Sequence, residues 1–167
     1  MGLDFHDRSF LQELYLKRGD VSLMWKEYIQ TATTGYHFKS SATDAEISQI
    51  KENLQVELPQ DLLNLLNETN GVFDEYGSPL IWSTEQIVKD NLFFRNFEDY
   101  RDIFMPFDHF LFFSDAGNGD LFGYAILNGS IQREDIFVWD HETDSRKWIA
   151  SSLKDFIEGW ANGGISV

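Results

Sequence analysis

Apolar positions alternate along three runs between residues 110 and 142, and two turn signals separate these runs. In the first run Phe110 and Phe112 point to one side of an extended chain, while Leu111 and Phe113 point to the other. Residues 136–141 alternate in the same way. Because both faces are largely apolar, the pattern predicts the middle of an antiparallel sheet whose second face is covered, at least in part, by helices.

Turn residues divide this region into hairpins. Residues 115–120 read Asp-Ala-Gly-Asn-Gly-Asp, and Asn128-Gly129 is a typical two-residue hairpin turn. A last strand is expected around residues 147–149, after a turn at Asp144-Ser145. A closing helix should then begin at Ser151 or Ser152, with Leu153, Phe156, Ile157 and Trp160 as its apolar stripe.

Helical periodicity dominates the middle of the chain. Residues 43–46, Thr-Asp-Ala-Glu, have the order of a capping box and predict a helix start. Pro59 suits the first turn of a following helix, and Asn70-Gly71 supplies its left-handed end. These two helices are expected to form a hairpin with an apolar inner side. After a short strand at residues 80–82, Ser83 should cap another helix.

The first 42 residues carry weaker signals. One short helix is expected over residues 7–18, and a second one after Asp20, with Trp25 and Tyr28 on its apolar side. Residues 31–42 are rich in Thr, Ser and Gly and predict a connection that includes a brief extended piece.

Together these elements predict a single-domain α+β fold with a central antiparallel sheet and helices packed against it. Residues 1–42 would form an N-terminal helical extension and connection, and residues 43–167 the main domain. A chain of 167 residues has the usual length of one domain with a sizeable core.

Residues 93–113 are unusually aromatic, because nine of these 21 residues are Phe or Tyr. Such a segment could be a surface on which a ligand stacks. Aromatic rings bury about 150–250 Å² each and dominate ordinary cores. Packing in the core is therefore the favoured interpretation.

The charge is strongly acidic, with 28 acidic and 13 basic side chains and a formal net charge of −15. Residues 1–42 hold five of each, so 23 acids and eight bases fall in residues 43–167. Direct DNA or RNA binding is not expected on this basis, since it depends on Lys and Arg contacts to phosphates. The acid either keeps an aromatic-rich protein in solution or faces a basic protein partner.

Several other classes are disfavoured by composition. The chain has no cysteine, which excludes disulfides, thiolate zinc sites and thiol nucleophiles. Its amino end carries Asp4 and Asp7 rather than the positive charge of a secretory signal, and its apolar runs stop at four residues, against the ~20 of a membrane helix. We therefore expect a cytoplasmic protein with no membrane contact.

Two polar clusters are candidates for chemistry. Residues 115–120 fit neither a calcium loop nor a phosphate-binding loop. Asp140, His141 and Glu142 offer carboxylates beside an imidazole, but at a strand end His141 would face away from the two acids, which is poor for joint ligation. No metal, no cofactor and no catalytic residue is therefore expected.

Four segments in this order resemble the SUKH superfamily, whose members include bacterial immunity proteins and fungal cell-wall assembly regulators. They are TDAEISQIKENLQVELPQDLLNLLNETNGV (43–72), SDAGNGDLFGY (114–124), IFVWDHET (136–143) and SSLKDFIEGW (151–160). The resemblance runs from about Trp25 to Trp160 and leaves residues 1–20 outside. It implies an α+β fold without a shared catalytic set. The motif residues with an implied structural role are Pro59, Asn70, Gly71, Gly117, Gly119 and Trp139.

For a bacterial member, the resemblance implies an immunity protein that neutralises a secreted polymorphic toxin, commonly a nuclease, by stoichiometric binding. The acidic turns at Asp115, Asp120, Asp140, Glu142 and Asp144 are the candidate contacts for a basic toxin domain. Two alternatives stay open: a scaffold or regulatory interaction module like the fungal members, and a small metal-dependent hydrolase using Asp140, His141 and Glu142.

Overall fold

The computed structural model describes residues 24–167, which form five α-helices and seven strands. In chain order the elements are α1 (Trp25–Ala32), β1 (Tyr36–Phe38), α2 (Asp44–Leu54), α3 (Gln60–Glu68), β2 (Val72–Asp74), β3 (Pro79–Ile81), α4 (Thr84–Asn96), a 3₁₀ turn (Glu98–Tyr100), β4 (Phe110–Asp115), β5 (Leu121–Ala125), β6 (Ile136–Trp139), β7 (Arg146–Ala150) and α5 (Leu153–Ala161).

The predicted central sheet is confirmed. Strands β4, β5, β6 and β7 are antiparallel neighbours in that order, and β4 contains the alternating aromatic run. Phe110 and Phe112 stack on one face with ring centroids 5.5 Å apart. On the opposite face Phe113 packs on Tyr124 at 4.9 Å. The α+β fold in a single domain therefore follows the sequence pattern.

Both faces of this sheet are covered, as the apolar alternation requires. Phe156 of α5 packs on Phe113 and Phe122 at 5.4 and 4.9 Å between centroids. On the other face Phe94 of α4 packs on Phe112 at 5.9 Å, and Phe107 packs there as well. The second cover is thus only partly helical, because Phe107 belongs to the connection between α4 and β4.

A second sheet, which the sequence did not predict, joins β1, β2 and β3 in antiparallel order. Its strands have three residues each, too few for a clear alternation. Two hydrogen bonds join it to β4: the Trp82 N–H donates to the carbonyl of Phe113 at 2.9 Å, and the Ser114 hydroxyl donates to the carbonyl of Leu80 at 2.7 Å. The extended piece predicted within residues 31–42 is β1.

The predicted helix caps are confirmed. Thr43 and Glu46 form a reciprocal capping box at the start of α2. The Ser83 hydroxyl accepts from the Gln86 N–H at α4, and Ser152, rather than Ser151, caps α5. Each cap satisfies a backbone N–H that has no partner within its helix.

The predicted helical hairpin is wrong. Helix α2 packs on α4, while α3 packs on α1. Asn91 explains part of the preference of α4 for the sheet: its buried amide accepts from the Phe112 N–H at 2.9 Å and donates to the Phe112 carbonyl at 2.7 Å. The side chain thus completes the hydrogen bonding of β4 at its edge, which apolar periodicity alone does not reveal.

The motif residues Pro59, Asn70 and Gly71 lie at the two ends of α3. Pro59 is the N-cap of α3, one residue before the first turn predicted for it, and α3 ends at Glu68. Gly71 has a φ of +100°, and an added Cβ would come within 2.7 Å of the Phe73 ring. The Asn70 side chain accepts from the Thr84 N–H at 2.7 Å, which ties this turn to α4.

The N-terminal predictions are tested only in part. The second short helix begins at Trp25, four residues after Val21. The helix expected over residues 7–18 lies outside the described residues. Among residues 24–167, no helix combines the length and apolar character needed to cross a membrane.

Candidate partner-binding surface

The two acidic turns of the sequence prediction lie at the same end of the central sheet. Asp115 and Asp120 flank the β4–β5 turn, and Asp140, Glu142 and Asp144 lie in the β6–β7 turn. Since Leu121 pairs with Trp139, the two turns are neighbours across β5 and β6. The structure therefore brings these separate segments together.

Asp120 and His141 make the closest contact between the turns. The Asp120 carboxylate accepts from the His141 backbone N–H at 3.0 Å and lies 2.6 Å from its ring Nδ1. The hydrogen bond to Asp120 raises the pKa of His141. Burial raises the pKa of Asp120, but hydrogen bonds from His141 and Asn118 outweigh burial and lower this pKa overall. The two groups therefore favour an ion pair.

The predicted orientation of His141 is wrong. Strand β6 ends at Trp139, and residues 141–143 form a turn, so the alternation of a strand does not extend to His141. Its ring turns towards Asp120, which the hydrolase hypothesis did not include. Glu142 is exposed, and Asp120 rather than Glu142 is the carboxylate that contacts His141.

A metal ion could be held by Asp120, Asp140 and His141, whose ligand atoms lie within 4.8 Å of one another. Two carboxylates and an imidazole suit Zn²⁺ or Mn²⁺. The same side chains already hold the turns together, however. One Asp140 oxygen accepts from the N–H groups of Glu142 and Thr143 at 2.9 and 3.0 Å, and Asp120 is occupied by His141.

Asp115 and Asp144 both accept from a buried indole. The Trp82 Nε1 donates to Asp115 at 2.7 Å, and the Trp139 Nε1 donates to Asp144 at 2.8 Å. Asp144 also accepts from the Met105 N–H at 2.7 Å. Of the five predicted contact residues only Glu142 is exposed. The carboxylates of the other four accept hydrogen bonds from side chains or from backbone N–H groups.

The two motif glycines of the β4–β5 turn differ in their surroundings. Gly117 and Gly119 both have positive φ, +80° and +111°. A Cβ on Gly117 would meet open space, whereas one on Gly119 would lie 3.0 Å from the His141 ring. Gly119 is therefore needed for the close approach of His141 as well as for the turn.

A second surface, not predicted as a contact site, lies beside the β6–β7 turn. We call it the aromatic face and define it as residues 93–108. Its exposed apolar side chains are Phe93, Phe97, Ile103 and Met105, which are 47%, 36%, 66% and 54% exposed. The favoured core interpretation of the aromatic segment is thus correct for part of the segment only.

The aromatic face also carries free acidic groups. Glu98, Asp99, Asp102 and Asp108 are exposed, and none forms an ion pair within residues 24–167. Arg101 is exposed among them. Between the rings lies a groove of about 480 Å³, lined by residues that include Phe97, Tyr100, Phe104 and Pro106. Residues 93–108 thus expose both apolar side chains and acidic groups.

One sequence signal for this face was available. Glu85, Lys89, Phe93 and Phe97 follow one another at intervals of four residues and are all exposed. Positions four apart lie on the same side of a helix. Two charged residues at the start of this line indicate its solvent side, so the two rings that continue it should be exposed as well.

Comparison with known proteins agrees with the fold. The family model SUKH_6, described as SMI1-KNR4 cell-wall, matches residues 44–157, which are 114 of the 167 residues. No curated protein matches the sequence. The matched range runs from the first residue of α2 into α5 and includes the whole central sheet. The chain therefore belongs to the SUKH superfamily.

Proposed function

We propose that this protein is an immunity protein, which neutralises a cognate secreted toxin domain by stoichiometric binding and catalyses no reaction itself. The toxin domain would be basic, and a nuclease is the class that best fits this charge, because nucleases bind phosphate backbones through basic surfaces. Membership of the SUKH superfamily supports a role in immunity or regulation.

The observation that carries the proposal is the distribution of charge over the folded domain. Residues 43–167 hold 23 acids and eight bases. The guanidinium groups of Arg95 and Arg146 donate to backbone carbonyls of Phe110 and Met105, both at 2.8 Å. Lys51 and Arg133 contact Glu57 and Asp135. These four bases are engaged within the protein, and the net charge of the domain is strongly acidic.

An acidic surface favours rapid capture of a basic partner. Electrostatic steering raises association rates to about 10⁸–10⁹ M⁻¹s⁻¹ at low salt, while a few apolar anchors supply most of the affinity. An immunity protein needs both properties, since it must bind the toxin before the toxin acts and must hold it afterwards.

Titration against the toxin encoded by the adjacent reading frame tests the proposal. Toxin activity should fall linearly with added protein and vanish at a 1:1 molar ratio. Undiminished activity at a tenfold molar excess would reject it. Bovine serum albumin, another acidic protein, is the control for non-specific charge effects.

A scaffold or regulatory interaction module is the second candidate, favoured by the cell-wall description of the matched family. The genomic neighbourhood separates the two functions. A large secreted protein with a basic C-terminal domain beside this gene supports immunity, and a gene without such a neighbour supports the scaffold.

A further inference from the structure

We propose that the aromatic face, residues 93–108, is the docking surface for a basic protein partner. The inference rests on the proposed function and adds to it the place where the partner binds. It differs from the sequence prediction, which placed the contacts in the acidic turns.

The aromatic face exposes several large apolar side chains. Ile103 and Met105 are 66% and 54% exposed, and Phe93 of α4 and Phe97, which follows α4, are exposed as well. Four large exposed apolar side chains thus fall within 13 residues, whereas monomeric proteins usually expose such groups singly. Burial of this patch against a partner removes apolar surface from water and stabilises the complex.

The exposed rings of the aromatic face are held in place by contacts with other rings. Phe93 stacks on Phe97 with centroids 5.0 Å apart, and Phe97 meets Tyr100 edge-on at 4.8 Å. Tyr100 contacts Phe104 at 5.2 Å, and Phe104 contacts the buried Trp139 at 5.1 Å. The exposed rings therefore continue a network that begins in the core, and little side-chain entropy is lost when a partner binds.

The backbone of the face is held as firmly as its rings. Both backbone polar groups of Met105 form hydrogen bonds: its N–H donates to Asp144 at 2.7 Å, and its carbonyl accepts from Arg146 at 2.8 Å. The Arg146 guanidinium also lies 5.3 Å from the centre of the Phe107 ring. The connection thus presents its exposed side chains in one geometry.

The charged residues of the aromatic face indicate which kind of partner binds there. Glu98, Asp99, Asp102 and Asp108 are exposed in the same segment as the apolar groups, with Arg101 as an opposing charge. An apolar centre with a charged rim is the usual organisation of a protein interface. A second copy of this chain would bring the same acidic rim against itself in a symmetric dimer, which like charges oppose. A folded protein with a basic patch around apolar side chains fits instead.

The groove gives this partner a specific contact. Its walls include the rings of Phe97, Tyr100 and Phe104, and its volume is about 480 Å³. Arg95 and Arg101 also line the groove, against one carboxylate, Asp108, so its charged groups oppose a further cation while its rings favour an apolar side chain. We therefore expect an apolar side chain of the partner to occupy the groove.

The test uses the full chain and the toxin domain encoded by the adjacent reading frame, with binding followed by surface plasmon resonance. Ile103→Asp should raise Kd by about tenfold or more, as expected for an anchor residue. Asp99→Lys/Asp102→Lys should lower the association rate several-fold at low salt, and the difference should shrink as salt screens the charges.

Matched controls lie on other elements. Tyr76→Asp changes an 85% exposed side chain in the β2–β3 turn, and Glu52→Lys/Glu75→Lys makes the same change in net charge as the double variant of the face. Both controls should leave Kd within about twofold of the original. Circular dichroism and melting temperature establish that every variant folds.

The outcomes separate the two proposals. Failure of the unmodified protein to bind the toxin overturns the proposed function and the docking surface with it. Binding that both face variants leave unchanged overturns the docking surface alone. Sedimentation velocity tests a second copy as the occupant: a dimer that Ile103→Asp converts to monomer would show that a second copy covers the face, and would also overturn the inference.

Discussion

Acidic side chains of the two turns and of the aromatic face are chemically alike, but the structure uses them differently. Asp115, Asp120 and Asp144 accept hydrogen bonds from side chains or backbone of other segments. Asp99 and Asp102 are exposed and form no ion pair in the part of the chain that the structure describes. A carboxylate that holds a turn together contributes to stability, and only an unengaged one is available for a partner.

Trp139 connects the two regions, and its removal should have the largest effect. Its indole donates to Asp144 in the turn and lies 5.0 Å from Phe107 under the aromatic face. Trp139→Ala should lower the free energy of unfolding by about 3–5 kcal/mol, through the cavity and the lost hydrogen bond. Urea unfolding measures this. Trp148→Ala, which changes a 56% exposed ring on β7, is the control and should have a much smaller effect.

The aromatic face should itself divide into stabilising and exposed rings. Phe94 contacts Phe112 and Trp139, at 5.9 and 5.5 Å between centroids, while its neighbour Phe93 is 47% exposed. Phe94→Ala should destabilise the protein by about 2–4 kcal/mol, and Phe93→Ala by less than about 1 kcal/mol. Equal losses in thermal or urea unfolding would show that Phe93 belongs to the core.

Substitution within the β6–β7 turn tests the assignment of its acids. Asp144→Ala removes the acceptor for the indole of Trp139 and the N–H of Met105, so it should cost about 1–3 kcal/mol of stability. Glu142→Ala, an exposed position in the same turn, should change stability by about 0.5 kcal/mol or less. The comparison fails if the two variants unfold at the same urea concentration.

The smallest expected effect is the pH dependence of the free energy of unfolding. Because the pKa of His141 is raised in the folded state, its pairing with Asp120 stabilises the protein fully below the unfolded pKa of about 6.5. This contribution is lost as pH rises through the higher folded pKa. Stability should therefore decline over that window, and His141→Gln should remove the decline. A His141 ring that titrates at or below 6.5 by NMR would contradict the predicted pairing.

The lowered pKa of Asp120 acts at the acid end of the range. Its contribution to stability is present above the unfolded pKa of about 3.9 and is lost as pH falls through the folded value. Asp120→Asn removes this contribution and should also return the pKa of His141 towards its ordinary value. The same NMR titration measures the second effect.

Much of the fold could be predicted because its signals are local. The Thr43 capping box, the Asn128-Gly129 turn and the alternation around Phe112 involve residues within a few positions of one another. The acidic turns were found as turns for the same reason. Their carboxylate partners could not be found, since Trp82 donates to Asp115 across 33 positions and Met105 to Asp144 across 39.

The amino-acid sequence by itself determined the helix starts, the central antiparallel sheet with two apolar faces, and the acidic charge of the domain. Tertiary structure decided that α2 packs on α4, that His141 turns to Asp120, and that Phe93 and Phe97 are exposed while Phe94 is partly buried. The physical reason is the distance along the chain between the residues that interact. Capping and strand alternation depend on neighbours in the chain, whereas the direction of a ring or carboxylate depends on which distant segment packs against it.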